Sequence, residues 1–315
     1  MKRWGVLLAT VASCATAPPP DDPAGRADRR SGLGEAALTA VAARPEVVAI
    51  DGDIALLCSE GAPGTDADDG QPDCDAARIG VDGALTELGR GGLIAAGRLD
   101  ARRLLLLTRD RSLRLRTEAT ATEIELARDV ADPRLAPDRR AVAFTQLPPG
   151  ATIAPSTTGR LVVLDLDRGT RRLVTDHPLD SSPFIRPGSD DVVFVSGRTG
   201  VASLWLAQPG SAPRQLTNRG AREVGPGFVP VPGRELVWLD RDTAVYTATY
   251  AGVSTLWALD VARGAAAPIG AGRWPQRAAA GDRVVAIDGD GAAVTIAAAA
   301  IAARLADAAP GEVRP

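Results

Sequence analysis

His177 is the only histidine among 315 residues. A single imidazole excludes multi-histidine metal centres and leaves one candidate for histidine-based acid–base chemistry. Aromatic residues make up 3% of the chain, too few for a base-stacking platform. Lys2 is the only lysine and the formal net charge is -3, so no basic stripe can neutralise a phosphate backbone. No glycine-rich phosphate loop follows a strand and opens a helix, and no Gly-x-Ser-x-Gly elbow is present. Nucleic acid is therefore not an expected partner, and no cofactor or metal is expected.

What remains is an ordinary globular balance, 45% hydrophobic and 24% charged. That is enough apolar material for a sizeable core. The length allows two domains or one large all-β domain.

The N-terminus carries an address. Lys2 and Arg3 precede a short apolar run at residues 5–12, far below the roughly 20 residues that span a bilayer. This is the pattern of a secretory signal peptide. The segment Val11-Ala12-Ser13-Cys14 resembles the lipobox of bacterial lipoproteins. That resemblance implies cleavage after residue 13 and lipid attachment at Cys14; a plain signal peptide with an incidental cysteine is the alternative. Ala15 follows, and by the same resemblance the lack of Asp there implies the outer membrane, with the protein facing the periplasm. Residues 14–34 then form a lipidated, proline-rich tether with nothing to build a core. Losing residues 1–13 removes two positive charges and takes the net charge from -3 to -5. Anionic headgroups repel such a body, so membrane attachment is expected from the lipid alone.

Cys58 and Cys74 are then left as an even pair in an oxidising compartment, a candidate disulfide; two free thiols are the alternative. The acidic stretch Asp66 to Asp75 between and beside them resembles the calcium loops of thrombospondin type 3 repeats. Its spacing lacks one residue, so a solvated acidic turn is the favoured reading.

The body, residues 35–315, repeats itself. Val-Val-Ala-Ile-Asp-Gly-Asp occurs at 47–53 and again at 284–290. Short apolar runs lie between the copies. Taking Ala49, Leu106, Phe144, Phe194, Trp238 and Ala286 as anchors gives steps of 57, 38, 50, 44 and 48 residues, a mean of about 47. Each run is short, rich in β-branched or aromatic residues and bounded by Gly, Pro or Asp, which signals strands. Further strands follow at 161–166, 203–206 and 255–259, and again at 171–175 and 214–217. Three or four antiparallel strands per repeat is the content of a propeller blade, and blades become stable by leaning on one another. Six anchors predict an all-β, six-bladed β-propeller of four-stranded antiparallel sheets. Residues 35–45 are expected to help complete the last blade, and the alanine-rich run 297–309 fits a helix or an outer strand.

The sequence Ala136-Pro137-Asp138-Arg139-Arg140-Ala141-Val142-Ala143-Phe144, with its strands at 161–165 and 172–175, resembles the WD40-like PD40 repeat. The next copy runs from Arg186-Pro187-Gly188-Ser189-Asp190 to Phe194-Val195-Ser196 and ends at 214–217, and Val231-Pro232-Gly233-Arg234 begins a third. Arg139 stands where the repeat usually has a turn glycine. Such repeats build TolB-type periplasmic propellers and the propeller domains of prolyl-oligopeptidase-like enzymes. The resemblance covers residues 130–270. It implies a TolB-like scaffold that binds envelope proteins, such as peptidoglycan-associated lipoproteins. Residues 15–45 leave no room for the extra N-terminal domain of that family, and no separate hydrolase domain follows the last repeat.

Candidate catalysts are few. Asp176, His177 and Ser181 or Ser182 form a local set, but His177 precedes Pro178 in a turn between repeats, so a solvent-exposed turn histidine is expected. Propeller glycosidases and lyases use paired carboxylates. Asp51, Asp240 and Asp288 each follow an apolar strand and are the candidates for such a role at a central channel; their Gly or turn neighbours suit hairpins better. Phe144, Phe194, Trp205, Trp238 and Trp257 recur at repeat positions, which marks blade-to-blade packing. The leading expectation is a non-catalytic, lipid-anchored binding scaffold, with a polysaccharide-cleaving glycosidase or lyase as the alternative.

Overall fold

The computed structural model describes residues 35–42, 44, 47–51, 53–58, 74–88, 92–151, 159–219, 230–278 and 281–310. The signal and tether (1–34) and Asp66 to Asp73 of the acidic loop lie outside them.

The chain opens with helix α1 (Glu35–Ala42). A first sheet holds two antiparallel meanders. The first is β1 (Val47–Asp51), β2 (Ile54–Cys58), β3 (Cys74–Ile79) and β4 (Leu85–Glu87); the second is β5 (Leu93–Arg98), β6 (Arg103–Thr108), β7 (Leu113–Thr117) and β8 (Thr122–Ala127). A single residue pair, Cys74 with Leu93, joins them into eight strands. Three four-stranded antiparallel sheets follow. They are β9 (Val130–Leu135) to β12 (Arg171–Thr175) through β10 (Ala141–Gln146) and β11 (Arg160–Asp165); β13 (Asp180–Ile185) to β16 (Arg214–Gln215) through β14 (Val192–Ser196) and β15 (Ser203–Ala207); and β17 (Val231–Trp238) to β20 (Ala265–Ala271) through β18 (Thr243–Tyr250) and β19 (Val253–Asp260). The last sheet has three strands, β21 (Arg273–Arg277), β22 (Arg283–Ile287) and β23 (Ala293–Ala297), and leads into helix α2 (Ala298–Ala306).

Packing between sheets is circular. Ile54 and Leu56 of the first meander pack on Leu93, Leu104 and Leu106 of the second. Leu105 and Leu107 pack on Phe144 and Val162, and Leu161 on Phe194 and Trp205. Phe184, Leu204 and Leu206 meet Trp238, Tyr246 and Trp257. Val245 and Leu256 meet Val284 and Ala286, with Ile301 and Leu305 of α2 alongside. The ring closes where Ala37 and Val41 of α1 fill the gap between Ala55 and Ile79 of the first sheet and Trp274, Val285 and Ile287 of the last. Each large apolar side chain so buried stabilises the fold by about 1.5–3 kcal/mol. Inner strands such as β15 are buried on both faces, whereas outer β8 and β12 are only partly buried. The recurring aromatics Phe144, Phe194, Trp205, Trp238 and Trp257 are all core, as their spacing suggested.

Residues 35–42 form a helix packed between the last sheet and the first, because Ala37 and Val41 lie one helical turn apart and bury together. Two expectations are corrected. The two copies of Val-Val-Ala-Ile-Asp-Gly-Asp are not equivalent: Ala49 and Trp238 sit on first strands of their meanders, while Leu106, Phe144, Phe194 and Ala286 sit on second strands. Leu56 and Tyr246 are the matching second-strand residues. Finally, Pro232-Gly233 lies inside β17 as a bulge, with the register shifting between Pro232 and Leu236, and not at a turn.

In five of the six steps the first strands of successive meanders touch one another, β1 with β5, β5 with β9, β9 with β13, β17 with β21, and β21 with β1, while in the sixth β17 meets β15 of the preceding sheet. They therefore surround the axis. From β5 onward each bulges against its second strand. In three of them the bulged residue precedes proline and is left-handed: Asp132 (φ 48°), Ser182 (φ 48°) and Trp274 (φ 52°). Proline lacks the donor a regular ladder requires, and the bulge removes that requirement. Each such proline lies eleven residues before the second-strand anchor, Pro133 before Phe144, Pro183 before Phe194 and Pro275 before Ala286. Glu235 holds the same place before Tyr246; its Oε2 accepts the Trp274 N–H at 2.9 Å and the Thr247 hydroxyl at 2.6 Å.

Candidate rim at one end of the disc

Antiparallel meanders place their turns alternately at two ends. At one end the described connections are tight: Arg98 to Arg103, Leu135 to Ala141, Asp165 to Arg171, Trp238 to Thr243 and Asp260 to Ala265. At the other end lie the three longest, from Cys58 to Cys74, from Gln146 to Arg160 and from Gln215 to Val231. The rim formed by the roots of these connections is the candidate functional surface, because recognition is commonly carried by loops set on a rigid scaffold.

Each root is tied differently. Cys58 and Cys74 face one another across β2 and β3 and are joined by a disulfide, as the cysteine arithmetic suggested. At the second root the Gln146 amide donates to the Arg128 carbonyl at 2.7 Å, and the Leu147 N–H to the Asp129 carbonyl at 2.7 Å. Gly159 passes so close to Thr145 that a Cβ there would collide with Thr145 Cγ2. At the third, buried Asn218 adopts φ 56° and its amide donates to the carbonyls of Pro230 at 2.8 Å and Ala202 at 3.0 Å. Only the first of these ties was legible in the sequence.

His177 also lies at this end, ahead of β13. Its Nδ1 accepts the Leu179 N–H at 3.2 Å. Asp180 is wholly buried; its Oδ2 accepts from the Thr175 hydroxyl at 2.7 Å and from the Arg198 guanidinium. The Arg198 guanidinium lies over the rings of Trp205 (4.8 Å) and Phe194 (5.6 Å). Ser181 pairs with Val195 in the sheet, and buried Ser182 is the bulged residue. Asp176, His177 and the two serines form no relay here; the arrangement anchors the start of β13.

The candidate channel carboxylates Asp240 and Asp288 do not converge. Asp240 Oδ1 accepts the N–H groups of Asp242 (2.8 Å) and Thr243 (2.7 Å) in the turn from the first to the second strand of its meander. Asp288 Oδ1 accepts those of Asp290 (3.0 Å) and Ala292 (2.9 Å) in the turn from second to third strand. These turns lie at opposite ends of their sheets. Asp51 ends β1, at a turn of the Asp240 kind. Asp100 and Asp165 cap turns in the same way. The Asp165 carboxyl is held below its usual range by the Arg168 N–H first, against an opposing burial penalty, with the Arg168 side chain and Asp167 N–H adding to the effect. Among the described residues no group of three or more His, Cys, Asp or Glu could hold a metal ion.

No protein-family model matches the sequence, and no curated protein is similar to it. Solved structures are. TolB from Acinetobacter baumannii aligns with a TM-score of 0.51 at 13% identity, over 75% of this chain and 59% of that one. An oligogalacturonate lyase in complex with manganese aligns at 0.52 and 15%, over 76% and 68%. The tricorn protease aligns at 0.52 and 12%, over 85% and 34%. The chain thus spans 59% of the length of that TolB. At these identities the likeness establishes the fold, a TolB-like β-propeller, and both enzymes and TolB share it.

Proposed function

We propose that this chain is a non-catalytic, lipid-anchored propeller of the bacterial envelope, binding a protein partner through the rim that carries the three long connections. The observation that carries the reading is the asymmetry of the disc: long connections with individually tied roots at one end, tight hydrogen-bonded turns at the other. A surface for recognition needs preorganised loop roots, because ordering them on binding costs affinity. Asp240 and Asp288 spend their side chains on turn N–H groups, and His177 spends its acceptor nitrogen on Leu179; none is poised over a common point. Cys14 supplies the anchor in this reading, and residues 15–34 the spacer.

A photo-cross-linking residue at Gly150, on the rim, tests the idea against one at Asp138, on the opposite end, in intact cells. Protein adducts are expected from position 150 only; adducts confined to position 138 contradict the proposal. Cys14→Ser is expected to release the protein from the membrane fraction, and retention there would remove the anchor from the account. A screen against polysaccharides, with Asp240→Asn and Asp288→Asn as controls, tests the lyase-like reading. Turnover lost in those variants would replace the scaffold with an enzyme.

A further inference from the structure

One buried carboxylate oxygen beneath the rim is unfilled. Asp180, the first residue of β13, has no exposed side-chain surface; Thr175 and Arg198 take its Oδ2, but its Oδ1 accepts no hydrogen bond. Buried polar atoms are seldom left so. His177 Nδ1 lies 3.7 Å from that oxygen. The same nitrogen accepts the Leu179 N–H at 3.2 Å. One ring atom thus stands between a donor and an acceptor, and its own state decides which it serves. A bare nitrogen takes the Leu179 N–H; a protonated one donates, and Asp180 Oδ1 is the open acceptor beside it.

We infer that His177 and Asp180 form a proton-operated latch at the root between β12 and β13. Uptake of one proton from water puts hydrogen on Nδ1, ends the bond from Leu179 and starts one to Asp180 Oδ1. The new bond joins an imidazolium to a carboxylate, which is the stronger kind. Histidine is the side chain that ordinarily changes charge between pH 5 and 8, and this one is 37% exposed, open to solvent protons. Two other charged groups stand at this root among the described residues. Arg198, from the turn after β14, stays on Oδ2, and Asp176, beside His177 in the chain, is exposed. From β12 it is the neutral Thr175 hydroxyl that reaches the carboxylate. Arg198 already balances the Asp180 charge, so the attraction comes from the unfilled oxygen and not from net charge. Leu179 is what the latch controls. Its backbone has two ties here, its N–H to His177 and its carbonyl to the Gly197 N–H at 3.2 Å. Its side chain is 52% exposed at the rim. Acid leaves it the second tie alone, so an apolar rim residue is held at neutral pH and loosened below it.

The chain has one histidine, so its imidazole gives a single set of nuclear magnetic resonance signals against which the rest can be read. The full chain is titrated from pH 7.5 to 5. The Leu179 amide proton is expected to move upfield as the imidazole is protonated. Its exchange, corrected for the intrinsic pH dependence, is expected to quicken about fivefold, the loss of one ordinary hydrogen bond. The Asp180 side-chain carboxyl carbon is expected to shift in step with the imidazole. His177→Asn puts an amide oxygen where Nδ1 stands, an acceptor for Leu179 at every pH, and both signals are expected to stay constant. Backbone spectra that match wild type away from this root show that the variant folds; if it does not, the wild-type titration decides alone. A Leu179 amide that stays put while the imidazole is protonated, an Asp180 carboxyl carbon that does not follow it, or the same shifts persisting in folded His177→Asn would each overturn the inference. The readouts concern the isolated chain, so their failure leaves the rim's role in binding a partner untouched.

Discussion

Pro137 and Pro187 open equivalent turns in successive sheets, yet the left-handed residue falls one position later in the first. After Pro187 it is Gly188, at φ 63°; after Pro137 it is Arg139, at φ 62°. The framing hydrogen bonds match, Ala136 N–H to the Ala141 carbonyl in one and Arg186 N–H to the Asp191 carbonyl in the other. Two turn types therefore solve the same closure, and one of them puts a branched, charged residue where the backbone favours glycine.

Relieving that strain should stabilise the fold. Arg139→Gly is expected to add about 1 kcal/mol, the left-handed penalty of a side-chain-bearing residue. Gly188→Ala is expected to remove about 1 kcal/mol, through conformation alone, since a Cβ there meets nothing within 4 Å. Urea unfolding midpoints, with unchanged slopes, measure both.

Tyr246 makes a second prediction. Its ring is in the core between two sheets, and its hydroxyl is buried with no hydrogen-bond partner among the described residues. Burial pushes its pKa well above the ordinary 10.0, so the folded protein keeps it neutral. The neutral form is the one folding favours. Its contribution is therefore complete below pH 10 and is lost as the pH climbs above it, because the unfolded chain ionises first. Tyr246→Phe is expected to stabilise by about 1 kcal/mol at neutral pH and to flatten the loss at high pH. Thermal melts from pH 7 to 11.5 test both.

The buried ion pair at the start of β13 should behave differently from surface pairs. Asp180→Ala leaves Arg198 without its carboxylate beneath the rim and is expected to cost about 3 kcal/mol. His177→Ala, at a half-exposed position, is expected to change stability by less than about 0.5 kcal/mol. If His177→Ala instead abolished a measured activity, the structural account of that cluster would fail.

Reduction of the Cys58–Cys74 bridge, which spans a sequence separation of 16, is expected to lower stability by about 3 kcal/mol. The double variant Cys58→Ala/Cys74→Ala should reproduce the loss, and equal unfolding midpoints with and without reductant would refute it.

Between residues 130 and 270 the strands were legible because each is short, apolar and closed by turn chemistry. The same economy hid the register. First and second strands of a meander look alike, so Ala49 and Trp238 passed for partners of Phe144. The eleven-residue interval from a bulge proline to its second-strand anchor was the signal that separates them. Both alanine-rich ends were ambiguous because alanine carries no strong commitment until Val41 or Ile301 finds a core to enter. Asn218, Gln146 and Arg198 were not legible as rim residues, since their partners are carbonyls and rings brought near only by the finished ring.

The joint between last sheet and first is made by α1, through Ala37 and Val41, and no hydrogen-bonded strand crosses it among the described residues. A pull on the N-terminal side of the molecule loads this wedge before any ladder elsewhere bears force. The disc therefore has a clasp, and under the anchoring proposed above the end of the chain that holds it in place would be the end that undoes it.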